Sequence, residues 1–399
     1  MLKIMVVRDS LYYNKTKATC CEVKLMPGKT KRKYESESIK FAKRLKRPLE
    51  LVVNTLKPEY TDDDILQAFK EYYPYEWKEI CERYIVYTRK DQFLKQKRGT
   101  TRYNPLKPEE YFFSLGKVKY LLSKAGREKH KKNYNDQFRT ESVEALKQNR
   151  GKRIEKKQRQ IEEYMKDMQQ VDPGFIDALI YAYHDRRNTV NDKMEVFKEI
   201  QKYECEKSRQ FFWKINDSER NDQIRNLAFK HLQNTGHYVK LRKRFRGKKK
   251  IYQVEKSSFD GTPKSLAQKL QNDKSIQNLK VYNLFISHSS KDKKVIQKIV
   301  EVANANGMNC YVDWTADNDF LKRSMVSEYT KEVLKARMKQ SKCLLYISSN
   351  ESRKSEWVSF ELDYYENILR GKIFMMVIDG EDIHDFKCIE MKEIGQLLT

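Results

Sequence analysis

Short apolar runs alternate with longer amphipathic stretches from residue 281 onward. The runs are rich in β-branched and aromatic residues, which favour strands, and they are VYNLFIS (281–287), MNCYVDW (308–314), KCLLYIS (342–348) and KIFMMVI (372–378). The stretches between them have the length of helices. This alternation predicts a parallel sheet with helices on both faces. Because no comparable run follows residue 378, we expect a sheet of these four strands.

The residues before this part show helical spacing instead. Apolar positions recur at intervals of three or four residues, which predicts helices at 61–73, 107–126, 139–168, 174–187, 191–215 and 219–235. A polar stretch that contains Gly261 and Pro263 separates the two patterns and is typical of a linker. The predicted organisation is a basic, mainly α-helical sensor or assembly region at 1–256, a linker at 257–278 and an α/β domain at 279–399.

The two parts differ in charge. The chain has 399 residues and a formal net charge of +26. Residues 281–399 contain 17 basic and 18 acidic side chains, so the positive excess lies entirely upstream of them. Such an asymmetry indicates that the two parts meet different partners.

The most basic segment is GHYVKLRKRFRGKKKIYQV at 236–254. Its pattern predicts a hairpin that turns near Gly247, and with the helix before it this indicates a winged-helix-like part at 191–254. Its cationic side chains would contact nucleic acid or another polyanion, and they are Arg242, Lys243, Arg244, Arg246, Lys248, Lys249 and Lys250. The alternative is a solvated edge whose charge prevents aggregation.

Composition argues against several classes of protein. Neither the cysteines nor the histidines have metal-ligand spacing, so we expect no metal site and reduced thiols. No apolar run is long enough to cross a bilayer, and the N-terminal apolar stretch is too short for a secretory signal. We therefore expect a cytoplasmic protein that does not bind membranes.

One acidic residue in the stretch SEWVSFEL departs from the helical pattern. Projected at about 100° per residue, Glu361 falls within the apolar arc, beside Trp357 and Tyr364. The other acids of this helix lie on the opposite side, and they are Glu356, Asp363 and Glu366. A carboxylate beside two aromatic rings loses solvation, which makes it a functional candidate. The alternatives are an ion pair with Arg337 or Lys354, or a side chain that reaches water.

Four segments in the same order resemble those of a Toll/interleukin-1 receptor (TIR) domain, and they are LFISHSSKD, CYVDW, LKARMKQSKCLLYIS and SEWVSFEL. The last is similar to the S-x-W-V-x-x-E-L element of bacterial TIR proteins. The resemblance extends from near Lys280 to the end of the chain and implies a flavodoxin-like parallel sheet. Residues 1–256 resemble no family that we can name.

Catalytic TIR domains carry an essential glutamate in the motif W-x-x-x-E, which corresponds to Trp357 and Glu361. The resemblance therefore implies that NAD is the substrate and that Glu361 is catalytic, since a carboxylate stabilises the positive charge that develops on ribose as nicotinamide leaves. It also implies that Ser287, Asp313, Trp314 and Trp357 contact NAD. No further cofactor is expected. The product is either ADP-ribose or a cyclised ADP-ribose.

The same resemblance implies an immune or antiviral-defence effector. Such a protein becomes active as a homo-oligomer through its TIR domains, with the loop TADNDFLKRSM reaching the neighbouring protomer. Two alternatives stay open. One is a non-catalytic TIR scaffold in signalling, and the other is a nucleic-acid-binding protein with a regulatory TIR domain.

Overall fold

The chain forms two compact units that divide between Leu146 and Lys147. In this computed structural model the described residues are 28–240, 261–272, 275–318, 320–321, 327–381 and 383–397. None of the helices in these ranges is long and apolar enough to cross a membrane.

The described residues of the first unit form helices with short connections. They are α1 (Lys29–Val53), α2 (Asp62–Tyr72), α3 (Pro74–Arg98), α4 (Pro108–Ser114), α5 (Gly116–Leu122) and α6 (Lys124–Lys132), and α7 (Asp136–Met165) begins in this unit and ends in the second. Thr61 and Asp64 form a reciprocal capping box at the start of α2. The core contains fully buried side chains at helical spacing, such as Leu45 and Leu49 of α1.

The second unit opens with a further helical group. Its helices are α8 (Ile176–His184), α9 (Val190–Gln201), α10 (Glu206–Ser218), α11 (Asp222–Asn234) and α12 (Pro263–Gln271). Thr189 and Asn221 begin α9 and α11, because their side chains accept hydrogen bonds from backbone N–H groups of the first turn.

The prediction of a mainly helical upstream region is confirmed, with differences in detail. The segment 191–215 forms two helices rather than one, and the segment 107–126 forms α4, α5 and the start of α6. Leu115 has extended backbone between α4 and α5, and Cys205 caps α10 as a new helix. Helices α1 and α3 were not predicted, because long runs of charged side chains obscure their narrow apolar faces.

The second unit ends in a five-stranded parallel sheet. The strands are β1 (Tyr282–Ser287), β2 (Cys310–Tyr311), β3 (Ser341–Ser348), β4 (Ile373–Val377) and β5 (Lys387–Cys388), in the order β2-β1-β3-β4-β5. The predicted α/β fold is confirmed, but the prediction of four strands is wrong. Strand β5 has only two residues, both exposed, so it lacks the apolar run from which strands are predicted.

Helices cover both faces of the sheet, as predicted. The remaining helices are α13 (Lys293–Ala305), α14 (Asp313–Ala316), α15 (Glu328–Lys339) and α16 (Glu356–Asp363). Leu284 and Ile286 of β1 pack in one core with α13. Phe285, whose side chain points to the opposite face, packs in the other core with α15 and α16.

A side chain from the helical group covers the edge strand β2. The amide of Gln169 donates a hydrogen bond of 2.6 Å to the carbonyl oxygen of Cys310 and accepts one of 2.8 Å from its N–H group. Gln169 thereby occupies the position at which a further strand would pair with Cys310.

Part of the predicted linker, 257–278, is ordered. Helix α12 lies within it, and Leu266 and Ala267 are buried in one apolar cluster with Val333 of α15. The boundary between the predicted regions stays a prediction. The predicted hairpin, 236–254, lies outside the described residues from residue 241 onward, and this part contains its seven cationic side chains. The winged-helix-like part at 191–254 therefore also stays a prediction.

Candidate active site

Polar side chains gather at the carboxyl edge of the sheet, where ligands bind in parallel α/β folds. Ser287 is the last residue of β1 and Ser348 is the last residue of β3, and both are fully buried. Arg353, in the loop that follows β3, donates to the hydroxyl of Ser348 at 2.7 Å and to the carbonyl oxygen of Asp379 at 2.9 Å. The loops after β3 and β4 are thus held together beside Ser287.

Glu361 lies in this site and is only 8% exposed. Its Oε2 accepts a hydrogen bond of 2.6 Å from the Ser287 hydroxyl. Helix α16 sets its position: the helix begins at the Ser355 cap, whose hydroxyl accepts from the N–H of Val358. The glutamate predicted from the helical projection and the serine predicted from the end of β1 therefore contact each other directly.

Burial raises the pKa of the Glu361 carboxyl to about 8. The hydrogen bond from Ser287 opposes this rise, and the negative charge of Asp313 adds to it. Within the described part of the chain no cation forms an ion pair with Glu361. The alternative of a pair with Arg337 is wrong, because Arg337 binds both oxygens of Asp317. Burial thus favours the protonated form of Glu361, and a bound cation would favour its ionised form.

The helix that carries Glu361 changes geometry directly after it. Residues Tyr364–Ile368 form a π turn, a feature that is common at functional sites. Gly371 ends this segment, where a Cβ atom would lie 2.2 Å from the Tyr365 ring. Tyr365 is buried in the core of this face and donates to the carbonyl oxygen of Ser341 at 3.2 Å. The turn therefore anchors the end of α16 to β3.

Trp357 lies one helical turn before Glu361, so the two side chains share a face of α16. Trp357 is half-buried against the apolar cluster that contains Leu362 and Tyr365. Its ring can form an apolar wall on the side of the carboxyl group that faces the helix N-terminus. The contact of Trp357 with NAD stays a prediction.

Asp313 and Trp314 follow β2 and form the start of α14. The Asp313 side chain is half exposed. The Trp314 ring packs edge-on to His288, with 4.6 Å between the ring centroids. Its indole N–H is buried and has no hydrogen-bond partner among the described residues. Asp313 is near enough for its charge to affect Glu361. The structure therefore brings the predicted residues to one edge of the sheet.

His288 is a member of this site to which the sequence assigns no role. Its Nδ1 lies 2.8 Å from the carbonyl oxygen of Ile286, which places the proton on Nδ1. Its Nε2 then faces Asp313 Oδ1 at 3.7 Å. Arg353 was also missed. For both residues, the only indication in the sequence was a position in a loop that follows a predicted strand.

The arrangement can stabilise positive charge. A buried carboxyl group with one serine donor and an aromatic neighbour binds a cation more strongly than a solvated carboxylate does, because less water competes. No group of three histidine, cysteine or acidic side chains among the described residues is placed to hold a metal ion.

The chain is similar to known proteins over most of its length. Residues 284–394 match the TIR domain family. A Cytobacillus dafuensis protein named "Putative cyclic ADP-D-ribose synthase TIR2" is 46% identical over 339 residues, which are 85% of this chain and 89% of that relative. A Bacillus cereus (strain MSX-D12) protein named "Probable 3' cyclic ADP-D-ribose synthase ThsB'" is 36% identical over 99 residues, which are 25% of this chain and 51% of that relative. No solved structure gives a significant match.

The similarity to the first relative extends well beyond the matched domain, because it includes 339 residues. The matched residues contain all of the sheet except the first two residues of β1, together with Trp357 and Glu361. The chain belongs to the TIR-domain family.

Proposed function

We propose that this protein is an NAD+ nucleosidase or cyclic ADP-ribose synthase that cleaves the bond between nicotinamide and ribose, with Glu361 as the catalytic carboxylate. The observation that carries the proposal is the buried contact of Ser287 with Glu361 at the carboxyl edge of the sheet. The names of the two relatives support the same class of reaction.

The charge of the substrate suits this site. NAD+ carries a positive charge on its nicotinamide ring, and that charge passes to the ribose as neutral nicotinamide leaves. A carboxylate in a site of low dielectric stabilises such a cation more than water does. Binding of the cation also lowers the pKa of Glu361, so the substrate itself favours the ionised form that the reaction needs.

The other predicted residues bind NAD in this proposal. Ser287 holds the carboxyl group in place, and Trp357 provides an apolar wall beside the ribose. Asp313 and Trp314 contact the rest of the dinucleotide.

A cyclic product is favoured over free ADP-ribose. The bond between C1′ of the ribose and the nicotinamide nitrogen breaks, and its electron pair leaves with nicotinamide. A hydroxyl oxygen of the same molecule then forms a bond to C1′, and this hydroxyl loses its proton. Water would give ADP-ribose by the same route. The names of both relatives specify cyclic products, which supports the intramolecular capture.

We extend the proposal to an immune or antiviral-defence effector that acts in the cytoplasm as a homo-oligomer. The support is the family expectation that the segment TADNDFLKRSM, 315–325, reaches a neighbouring protomer, and residues 319 and 322–325 of this segment lie outside the described residues. Light scattering of the full chain, combined with NAD turnover over a range of protein concentrations, tests the assembly. Specific activity that does not change with concentration, in a monodisperse monomer, would contradict it.

Incubation with NAD+ and separation of the products by liquid chromatography with mass detection tests the reaction. Wild type is expected to release nicotinamide with an equimolar cyclic product, and Glu361→Gln is expected to release almost none. Glu356→Gln, an exposed acid of the same helix, is the matched control. Equal turnover by wild type and Glu361→Gln rejects the proposal, and no turnover by either favours a non-catalytic scaffold.

The second candidate is nucleic-acid binding by the upstream region. The observation that favours it is the positive excess before residue 281. Release of counterions predicts that the affinity of the full chain for duplex DNA or RNA falls steeply with salt. Binding that does not depend on salt would reject this candidate.

A further inference from the structure

Short helix α14 carries Asp313 and Trp314, and its C-terminal end is held from inside the protein. Asp317 ends this helix and is fully buried. Its N–H group donates to the carbonyl oxygen of Asp313 at 3.1 Å, and those of Thr315 and Ala316 donate to the carbonyl oxygen of Val312 at 3.0 and 2.8 Å. The position of α14 therefore depends on what binds Asp317 and the last turn.

Arg337 of α15 binds the Asp317 carboxylate through two parallel hydrogen bonds. Its Nε donates to Oδ2 at 2.8 Å and its Nη2 donates to Oδ1 at 2.9 Å. Gln277 accepts two further hydrogen bonds from the same guanidinium, at 3.0 and 2.8 Å. Burial opposes ionisation of Asp317, but Arg337 holds its pKa well below the ordinary value. The pair is a fixed ionic anchor.

Residues upstream of the matched domain complete this anchor. Lys280 Nζ lies 2.7 Å from Glu199 Oε2 and 3.7 Å from Asp317 Oδ1, and all three side chains are at most 3% exposed. Glu199 belongs to α9, so Lys280 connects α9 to the end of α14. Burial alone would raise the pKa of Glu199, but Lys202 and Lys280 hold it at about 2.

Lys202 makes the contact nearest to the site. Its Nζ donates to the carbonyl oxygen of Ala316, the last residue of α14, and to Glu199 Oε1 at 3.2 Å. Helix α14 has only four residues and therefore few internal hydrogen bonds. Its remaining backbone carbonyl groups need donors from outside the helix. Lys202 supplies one, and the charge of Glu199 keeps Lys202 in place.

We propose that Glu199 and Lys202 are positioning residues for α14, so that α9, which precedes the matched domain, completes the NAD-binding side of the site. Lys202 fixes the last turn directly, and Glu199 fixes Lys202 and Lys280. The kinetic part of this inference rests on the proposed function. The structural part does not.

Lys202→Met in the full chain tests the inference, because methionine keeps the apolar stem and removes the charge and the donor. Hydrogen exchange of the amides of Thr315, Ala316 and Asp317 is expected to rise about tenfold. The KM for NAD+ is expected to rise about tenfold while kcat changes less than twofold, because the displaced residues bind the dinucleotide and Glu361 stays in place. Lys207→Met, which removes exposed pairs with Asp172 and Asp177, is the control.

The outcomes are distinguishable. Unchanged exchange at α14 and unchanged KM would overturn the inference. A uniform rise in exchange over the second unit, with lower kcat and unchanged KM, would overturn it too, since Lys202 would then only stabilise the fold. If wild type turns over no NAD, the proposed function fails and the exchange at α14 decides the positioning role alone. Lys202→Gln, which keeps a donor without the charge, replaces Lys202→Met if that variant does not fold.

Discussion

The hydroxyl of Ser287 donates a hydrogen bond of 2.6 Å to Glu361 Oε2 across 74 positions of sequence. The contact joins the end of β1 to the middle of α16. It also partly offsets the effect of burial on the pKa of Glu361. The geometry of the site and the ionisation of its acid therefore depend on the same pair.

Glu361→Gln is expected to lower kcat/KM for NAD+ at least about a hundredfold, because it removes the charge that stabilises the ribose cation while keeping the shape of the side chain. Nicotinamide release, followed by chromatography, measures the effect. Glu356→Gln is expected to match wild type. If the kcat/KM of Glu361→Gln lies within tenfold of the wild-type value, a group other than Glu361 supports the bond cleavage.

Ser287→Ala is expected to shift the pH dependence of kcat/KM. In wild type kcat/KM rises as pH rises through about 8, where the free enzyme loses the Glu361 proton. Without the serine donor the pKa of Glu361 rises further, so the rising limb moves to higher pH by about one unit. The exposed Ser359→Ala on the same helix is the control, and coincident profiles for all three proteins would argue against a role of Ser287 in ionisation.

Glu361→Gln is also expected to change how stability depends on pH. Burial raises the pKa of Glu361 from 4.5 to about 8 in the folded protein, so the stabilisation from its proton is complete below pH 4.5 and is lost as pH rises through about 8. Glutamine does not titrate, so the stability of Glu361→Gln does not fall in this way as pH rises. The difference in free energy of unfolding, Glu361→Gln minus wild type, should therefore be about 4 kcal/mol larger at pH 9 than at pH 5.

Denaturant titration at both pH values measures this difference. Other groups that titrate in the same window are present in both proteins, so their contributions cancel in the comparison. A constant difference between the variant and wild type would mean that Glu361 is solvated in the folded protein.

Gly371→Ala is expected to destabilise the fold by about 1 to 3 kcal/mol, because its Cβ would lie 2.2 Å from the Tyr365 ring. The ring anchors the end of α16, so activity should fall as well. Gly151→Ala in α7, where the added Cβ meets no atom within 4 Å, is expected to be neutral or slightly stabilising. Thermal unfolding of both variants measures the contrast, and an equal midpoint for the two would show that Tyr365 moves freely.

The periodicity of α16 was sufficient to single out Glu361. A helix repeats at about 3.6 residues per turn, so the position of each side chain on the helix can be calculated from the sequence, and the structure confirms the burial of Glu361. The contact with Ser287 could not be calculated in the same way. It depends on the distance between a strand and a helix that are far apart in sequence.

Arg337 shows the opposite case. From the sequence it was a candidate partner of Glu361, yet it binds Asp317. A long cation can reach any acid near its helix, and the choice depends on the packing of α15 against the segment after β2. Strand β5 was missed for a related reason, because its pairing with β4 comes from tertiary placement rather than from an apolar run.

The two hydrogen bonds between the Gln169 amide and the backbone of Cys310 limit how copies of this protein can associate. An edge strand with free backbone groups can add a strand from a second chain and so lengthen the sheet. At Cys310 an internal amide already fills both backbone positions. A filament or dimer of this protein would therefore have to form through side-chain surfaces or through the β5 edge, and continuous sheet extension at β2 would require Gln169 to leave first.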